Sequence, residues 1–291
     1  MPDFVSRMIG ALGSDLPNLL KQFWFWLTLT SLACFVAERL FPWRNQAVLR
    51  PQLAQDFLWL IVNGHFLGIA LALVSGRALL AATRTASSWG IPLPENPRLL
   101  ADSPFWLQFV VLLVFKDFLE WCVHVLFHRV RWLWALHKVH HSVETLDWIG
   151  YFRFHWLEAV VYKSLTFLPI VLLGFSPRVM LPVGVLVVAA GYLNHANLNI
   201  SWGPLRYVLN SPRMHVWHHD VIPRGGHGTN FGMVFSVWDW WFGTAYLPSG
   251  YPEKLGFEGS SAYPRSFIGR LLYPLPVGGR ETSATSEGDR S

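Results

Sequence analysis

Eight of the 12 histidines in this 291-residue chain lie in three short clusters, which read HVLFH, HKVHH and HVWHH. Residues three and four apart share one face of a helix, so each cluster can direct two or three imidazoles at one point. Neutral imidazole is the commonest metal-binding side chain, and eight imidazoles exceed the four ligands of one tetrahedral ion. The count therefore predicts a centre of two metal ions. Its predicted ligands are His124, His128, His137, His140, His141, His215, His218 and His219.

The two cysteines, Cys34 and Cys122, lie outside the clusters, which argues against a thiolate zinc site and against an iron–sulfur cluster. A shell of neutral imidazoles leaves about four positive charges on two divalent ions, so nearby carboxylates are expected to offset them. Asp220, which directly follows His219, is one candidate.

Two further acids precede the first cluster. Asp117 and Glu120 lie seven and four residues before His124, and an acid within an apolar span is a functional hypothesis by default. We predict that both carboxylates support the metal ligands. The alternative is that they pair locally with Lys116.

The composition predicts a membrane protein. Apolar residues make up 52% of the chain and charged residues only 14%, whereas a soluble domain carries about 25% charged residues. The 16 tryptophans suit membrane–water interfaces, and the net charge of +5 suits loops that face anionic lipid. The chain has no run of Lys and Arg and no base-stacking motif, so nucleic acid is not an expected partner. The N-terminus also lacks the pattern of a cleaved signal peptide.

Apolar stretches set the expected fold, because a bilayer core needs about 20 mostly apolar residues in a helix. The candidate stretches are 23–41, 57–75, 105–128, 157–175 and 179–194. The last two read as a hairpin, interrupted by prolines, that crosses the bilayer fully or only in part. We therefore predict an all-α membrane protein with about four transmembrane helices or hairpins and a cytoplasmic helical cap that holds the dimetal site.

Lys and Arg residues flank all three clusters, which places the histidines on the cytoplasmic side by the positive-inside rule, although the loop 76–104 also carries three Arg. Three regions follow from these patterns. Residues 1–104 form N-terminal membrane helices and a loop, 105–245 the histidine-motif catalytic region of the same domain, and 246–291 a C-terminal extension whose end is expected to be disordered.

The order of the motifs adds a resemblance. H-x3-H, then H-x2-H-H, then a distant H-x2-H-H are joined by smaller marks between residues 105 and 245, which are Asp117, Arg153-Phe-His155 with Glu158, His195-Ala-Asn197, Asn230-Phe-Gly and Trp238-Asp239. In these features the chain resembles the fatty acid hydroxylase/sterol desaturase superfamily of integral-membrane di-iron enzymes. It departs from the usual pattern at Trp156, where proline is common, and at His227, where an acid is common.

The resemblance implies that the histidines hold two iron ions, with zinc possible in isolated protein, and that O2 is the co-substrate. By position, it makes His195 a ninth ligand. It also implies a supporting shell around the ligands, formed by Asp117, Glu120, Arg153, Glu158, Asn197, Asn230 and Asp239. His155 either joins that shell or starts a helix, and His227 is expected in a loop near the entrance rather than at the metal.

The expected function is hydroxylation or desaturation of a lipid such as a fatty acyl chain, sterol, carotenoid or ether lipid. Electrons are expected from a separate partner, which is a ferredoxin, a cytochrome or a reduced pterin. The aromatic segment 238–242 either lines a lipid channel or anchors the cap at the interface. The alternative function is a polytopic membrane metal-binding or transport protein without oxygenase activity. Transporters place ligands on broken helices at the bilayer midplane, whereas these clusters lie at helix ends.

Overall fold

The computed structural model describes residues 25–67, 77, 81, 84–85, 87–90, 100 and 102–274. Its main helices are α1 (residues 25–40), α2 (Leu53–Ile61), α3 (Phe105–Arg129), α4 (Arg131–His141), α5 (Trp156–Leu172), α6 (Pro177–His195), α7 (Pro212–His218), α8 (Val237–Trp241) and α9 (Phe267–Leu272). A π-helical turn, Val62–Leu67, extends α2, and a 3-10 helix, Trp148–Phe152, lies between α4 and α5. The described residues contain isolated β-bridges but no strand, which confirms the all-α class.

A sharp turn between α3 and α4 brings the first two histidine clusters together. Val130 is the one residue between these helices, and its extended backbone (φ −97°, ψ 117°) reverses the chain. Val123 and Phe127 of α3 pack against Leu133 and Leu136 of α4 in a buried cluster. Burial of these apolar faces holds the end of α3 against α4, so the histidines of both helices face one interior.

The predicted hairpin is present as helices α5 and α6, joined by residues 173–176. Gly174 takes a left-handed conformation (φ +67°) in the connection, and the Ser176 hydroxyl accepts the N–H of Arg178 at the start of α6. The apolar side of α6 packs on α3 in a cluster that includes Leu112 and Val183. The hairpin therefore returns the chain to the end of α3 and places His195, the last residue of α6, beside the clusters.

Within the described part of the chain, Arg178–His195 is the helix that is long and apolar enough to cross a bilayer. The helix α3 has 25 residues and is longer, but it contains Lys116, Asp117 and Glu120. The predicted stretch 57–75 runs beyond residue 67 into residues outside the described range. Four membrane crossings therefore stay a prediction.

Two arginines and two aspartates form a buried ion network behind the second histidine cluster. Arg50 binds Asp56 at 2.7 Å and Asp147 at 2.6 Å, and the Arg153 Nε donates to Asp56 at 2.7 Å. Charge is balanced in the network, which is the condition under which buried ions are tolerated. It ties the start of α2 to both ends of the 3-10 helix between α4 and α5, where Asp147 and Arg153 are the N-cap and C-cap residues.

The network predicts that Asp56→Asn destabilises the protein by about 3–5 kcal/mol, because Arg153 and Arg50 then keep buried charges with one partner fewer. Thermal or denaturant unfolding in detergent measures the change. The matched control is Asp102→Asn, which makes the same chemical change at an exposed position and is expected to shift stability by less than about 0.5 kcal/mol. Equal stability of the two variants would contradict the assignment.

Candidate metal centre

Nine imidazoles converge at the ends of four helices. His124 and His128 lie in the last two turns of α3, and the second cluster ends α4. His195 is the last residue of α6, and the third cluster ends α7 and includes its C-cap, His219. Helix C-termini carry partial negative charge, so this arrangement favours a cation at the point of convergence.

The imidazoles divide into two groups of four, within each of which the candidate ligand nitrogens lie within 4.8 Å of one another. The first group contains His124, His128, His137 and His218. The second group contains His140, His195, His215 and His219. His141 lies on the side of the first group, since its Nε2 is 3.2 Å from that of His128 and 3.1 Å from that of His218.

The Nε2 atoms face one another at separations that suit ligands of a shared ion. His124 and His137 are 3.2 Å apart at Nε2, and so are His140 and His195. Metal–nitrogen bonds of about 2.0–2.1 Å in a tetrahedron give nitrogen–nitrogen edges of about 3.3 Å. The spacing of the imidazoles therefore fits metal ligation.

The hydrogen bond of the Nδ1 atom determines which ring nitrogen carries the proton, and so which Nε2 atoms are free of a proton. The Nδ1 of His124 lies 2.8 Å from the carbonyl oxygen of Phe231, and a carbonyl only accepts, so the ring proton is on Nδ1. The same holds for His195, whose Nδ1 donates to the carbonyl of Gly191 at 2.8 Å. Their Nε2 atoms then carry bare lone pairs that point into the cluster, which is the form that binds metal.

One loop, residues 227–231, orients three members of the first group. The carbonyl oxygens of His227, Thr229 and Phe231 accept the Nδ1–H groups of His128 at 3.0 Å, His218 at 2.8 Å and His124 at 2.8 Å, respectively. The loop is not a regular strand, since Gly228 and Asn230 both have positive φ angles of +99° and +56°, and this irregular backbone directs the three carbonyls at the imidazoles. The fourth member, His137, has its Nδ1 2.6 Å from the Glu158 carboxylate.

The second group is oriented differently. His140 Nδ1 donates to the carbonyl of Arg153 at 3.1 Å, and the Arg153 side chain belongs to the buried ion network. His195 uses a carbonyl of its own helix. The Nδ1 atoms of His215 and His219 are buried and have no hydrogen-bond partner among the described residues.

Burial keeps the ligands outside the predicted spans neutral. It lowers the pKa of His137, His140, His141, His215, His218 and His219 well below the usual range, and neighbouring imidazoles lower it further. Charging one imidazole would place a cation in a low-dielectric site beside others. The neutral form is therefore the one available to a metal.

Asp239 and Asn230 act on the loop rather than on the imidazoles. The Asp239 carboxylate accepts the N–H groups of Phe231 at 2.9 Å and Gly232 at 2.8 Å, and the indole N–H of Trp121 at 3.0 Å. Asn230 has a left-handed backbone (φ +56°), and its amide donates to the carbonyl of Met214 at 2.7 Å. Both side chains hold the segment whose carbonyls orient the first group.

The acids of α3 lie further away. Asp117 accepts the N–H of Val234 at 2.7 Å and the indole N–H of Trp238 at 2.9 Å, so it braces the continuation of the same loop. Glu120 pairs with Lys116, which is the local alternative considered for this residue. Of the acids singled out in the sequence, Glu158 is the one whose carboxylate binds a ligand imidazole directly.

The Asn197 and Asp220 side chains also bind partners other than the imidazoles. The Asn197 amide exchanges hydrogen bonds with the backbone of Arg44, at 3.0 Å and 2.7 Å. Asp220 pairs with Arg224 at 3.0 Å. Both contacts fix the chain directly after a ligand histidine.

The two histidines left open by the sequence lie outside the cluster. The Nδ1 of His155 accepts the N–H of Leu157 at the start of α5, and its Nε2 lies 2.8 Å from the carbonyl of Leu271. The His227 side chain is exposed, although its carbonyl orients His128.

The aromatic segment 238–242 has two faces. Trp238 and Trp240 are partly buried, and their indoles donate to Asp117 and to the carbonyl of Arg206. Trp241 is 72% exposed and Phe242 56% exposed. The exposed face suits an interfacial anchor.

Two residues that contact the imidazoles or the segments around them, Glu38 and Trp134, were not predicted from the sequence. Glu38 lies in an apolar helix, is buried, and accepts the N–H groups of Trp148 at 3.0 Å and Asn197 at 2.8 Å. Its position as an acid within the apolar stretch 23–41 is the sequence feature that could have identified Glu38. Trp134 packs its ring 4.9 Å from that of His128 and 5.1 Å from that of His141, and its position three residues before the second cluster does not distinguish it from a core aromatic.

Comparison with known proteins identifies lipid hydroxylases and monooxygenases as relatives of this chain. Residues 109–244 match the fatty acid hydroxylase family. Ornithine lipid hydroxylase OlsE of Rhizobium tropici is 30% identical over 271 residues, which are 89% of this chain and 77% of that protein. Cholesterol 25-hydroxylase-like protein 2 of Danio rerio is 29% identical over 220 residues, or 72% of this chain and 75% of that protein. Methylsterol monooxygenase 1-1 of Arabidopsis thaliana is 29% identical over 161 residues, or 53% of this chain and 50% of that protein.

The chain belongs to the fatty acid hydroxylase family, within the fatty acid hydroxylase/sterol desaturase superfamily. Membership confirms the superfamily predicted from the histidine motifs. It also confirms the predicted enzyme class, an oxygen-dependent lipid oxidoreductase. No solved structure matches the chain.

The lowered histidine pKa values predict an acid-sensitive metal-free protein. Below about pH 6.5 the unfolded chain takes up protons that the folded chain does not, so acidification favours unfolding. We expect chelator-stripped protein to lose stability between about pH 6.5 and 5, by up to about 1.4 kcal/mol per histidine per pH unit. Denaturant unfolding across this range measures it, and a flat profile would contradict the prediction.

Proposed function

We propose that this chain is a membrane-bound di-iron oxygenase that hydroxylates or desaturates a lipid. The observation that carries the proposal is the convergence of nine imidazoles, eight of them buried and His128 partly buried, with neighbouring Nε2 atoms 3.1–3.3 Å apart. Family membership supports the class of reaction. The proposed ligands are His124, His128, His137, His140, His141, His195, His215, His218 and His219.

Two iron ions held there would supply the activation of O2 that attack on an unactivated C–H bond requires. Hydroxylation places one oxygen atom of O2 in the product and reduces the other to water, with two electrons and two protons consumed. Desaturation removes two hydrogens from the lipid and reduces both oxygen atoms to water with the same external electrons. Zinc is a plausible occupant of isolated protein, since an imidazole site does not exclude it.

The chain's own residues provide the surroundings of the reaction. The carbonyls of residues 227–231 and the Glu158 carboxylate fix the ring orientation of the first group. Burial of the imidazoles keeps water from the reacting carbon, which protects a reactive oxidant from side reactions. The separate electron donor that the reaction needs is a ferredoxin, a cytochrome or a reduced pterin.

A lipid substrate is supported by the position of the site. The proposed ligands lie at the ends of the long helices α3 and α6. If these helices span the bilayer, the site lies at its boundary, where a lipid can reach it sideways between helices. The exposed Trp241 and Phe242 place an aromatic anchor nearby, with the Phe242 ring 4.7 Å from that of Trp121. The named relatives act on an ornithine lipid and on sterols, so a polar acyl lipid joins the fatty acyl, sterol, carotenoid and ether lipid candidates. We place the site on the cytoplasmic side of a multi-pass protein.

The alternative is a membrane metal-binding or transport protein without oxygenase activity. A transporter must release its ion, and its ligands lie on broken helices near the midplane. Here the proposed ligands lie at helix ends. Eight of the nine imidazoles are no more than 7% exposed, and the ninth, His128, is held by the carbonyl of His227. These features favour a resident metal over a transported one.

We expect His140→Ala and His219→Ala each to lower turnover by more than about 100-fold, because each removes a proposed ligand. Membrane insertion should be unchanged, since the apolar helices are intact. Activity in membranes and the membrane-bound fraction are the measurements. Glu253→Gln, at an exposed position, is the control. Near-normal turnover of either histidine variant would remove that residue from the ligand set.

An assay with 18O2 and candidate lipids tests the reaction. We expect O2 consumption that depends on added electrons, with label in the product for hydroxylation or an unlabelled product lacking two hydrogens for desaturation. Purified active protein is expected to hold about two metal ions per chain, as elemental analysis measures. Folded protein without metal, or turnover of a small polar compound in preference to every lipid, would contradict the proposal.

A further inference from the structure

We infer that the two metal positions differ in affinity, and that the first group, His124, His128, His137 and His218, fills before the second. The inference rests on the dimetal centre of the proposed function. It concerns how the residues outside the ligands divide between the two groups. A partner on the second ring nitrogen typically changes metal affinity by about 10–100-fold.

In the first group, every imidazole has an acceptor for its Nδ1–H. Three acceptors are the carbonyls of residues 227, 229 and 231, and the fourth is the Glu158 carboxylate. Each contact fixes the ring orientation and keeps the proton away from Nε2. His141 adds a further Nε2 within 3.2 Å of two members.

The loop that supplies these carbonyls is itself held in place. Asp239 accepts the N–H groups of Phe231 and Gly232, and Asn230 ties the loop to Met214 and Tyr246. Gly228 has a positive φ of +99°, and a Cβ there would lie 3.1 Å from the His128 Nδ1. The loop backbone therefore lies directly against a ligand, and the first group needs little rearrangement to bind an ion.

In the second group, two of the four imidazoles have an acceptor for the Nδ1–H. Acceptors hold His140 and His195, but the buried Nδ1 atoms of His215 and His219 have no partner among the described residues. No contact there keeps the ring proton on Nδ1, so these imidazoles are free to carry it on Nε2. A proton on Nε2 blocks metal binding at that atom.

The spacing gives such a proton an internal acceptor. The His215 Nε2 lies 3.2 Å from the Nε2 of His195, whose lone pair is bare because its proton is on Nδ1. In the metal-free protein, His215 can therefore donate an Nε2–H to His195. An ion entering the second group must break this hydrogen bond and move the proton to Nδ1. In the first group, each of the four members has an acceptor for its Nδ1–H, so none of them offers such an Nε2–H to another member.

The test is anaerobic titration of the full chain in detergent. Protein stripped with a chelator is titrated with Fe²⁺ against a chromophoric competitor, and the affinity of each step is measured without reference to activity. We expect two steps about 10–100-fold apart, each of one ion per chain. His124→Ala should remove the tighter step, and His215→Ala should remove the weaker one.

Glu158 provides a matched pair of variants. Glu158→Leu removes the acceptor for His137 and should weaken the tighter step by about 10–100-fold. Glu158→Gln keeps an amide oxygen that can accept the same N–H, and should weaken it much less. The weaker step should be the same in both variants. Elution as a single species in gel filtration identifies the variants that are folded.

Two equal steps in the unmodified protein would overturn the inference, and so would loss of the tighter step in His215→Ala. Both outcomes leave a dimetal centre in place and so leave the proposed function intact. Folded protein that binds no iron at all would overturn the proposed function as well. The titration of the unmodified chain shows whether the two affinities differ, even where a variant does not fold.

Discussion

The proposed site depends on one constraint, which is that imidazoles able to bind a metal must be neutral and must keep their inward nitrogens free of protons. Burial satisfies the first condition, because a charged imidazole among others in a low-dielectric interior is unfavourable. Acceptors on the outward nitrogens satisfy the second. Since a carbonyl can only accept, each one placed beside an Nδ1 selects the tautomer as well as the ring orientation.

The same constraint explains why helix ends meet at the site. Neutral imidazoles would leave most of the charge of the proposed metal ions uncompensated, and Glu158 is the single carboxylate described at one of these imidazoles. Four helices end at or within two turns of the imidazoles. The partial negative charge of their C-termini offsets positive charge at this point. The backbone therefore takes on much of the role that the sequence assigned to acidic side chains. Asp117 and Asp239 contribute indirectly, by holding the loop that carries the accepting carbonyls.

Elements before the first histidine cluster are joined to this site through buried charge. Asp56 and Arg50 of the α2 region hold the segment that contains Arg153, whose carbonyl orients His140. Glu38 of α1 accepts the backbone N–H groups of Trp148, which follows α4, and Asn197, which follows α6. Buried acids that bind several donors in this way are expensive to leave unpaired, so they specify one arrangement of the helices.

The sequence by itself determined the all-α class, the clusters and the family, because ligand type and helical spacing are written directly in the residues. It did not determine that His137 and His140 of one cluster belong to different imidazole groups, since that division depends on where α6 and α7 end relative to α4. The accepting carbonyls of residues 227, 229 and 231 were equally invisible, because every residue has a carbonyl and only the folded loop directs these three at imidazoles. The spacing of Glu120 places it on the same helical face as His124, but in the structure it forms an ion pair with Lys116, one turn away. Local spacing can offer a ligand or an acid to a site, whereas only tertiary packing decides which partner it meets.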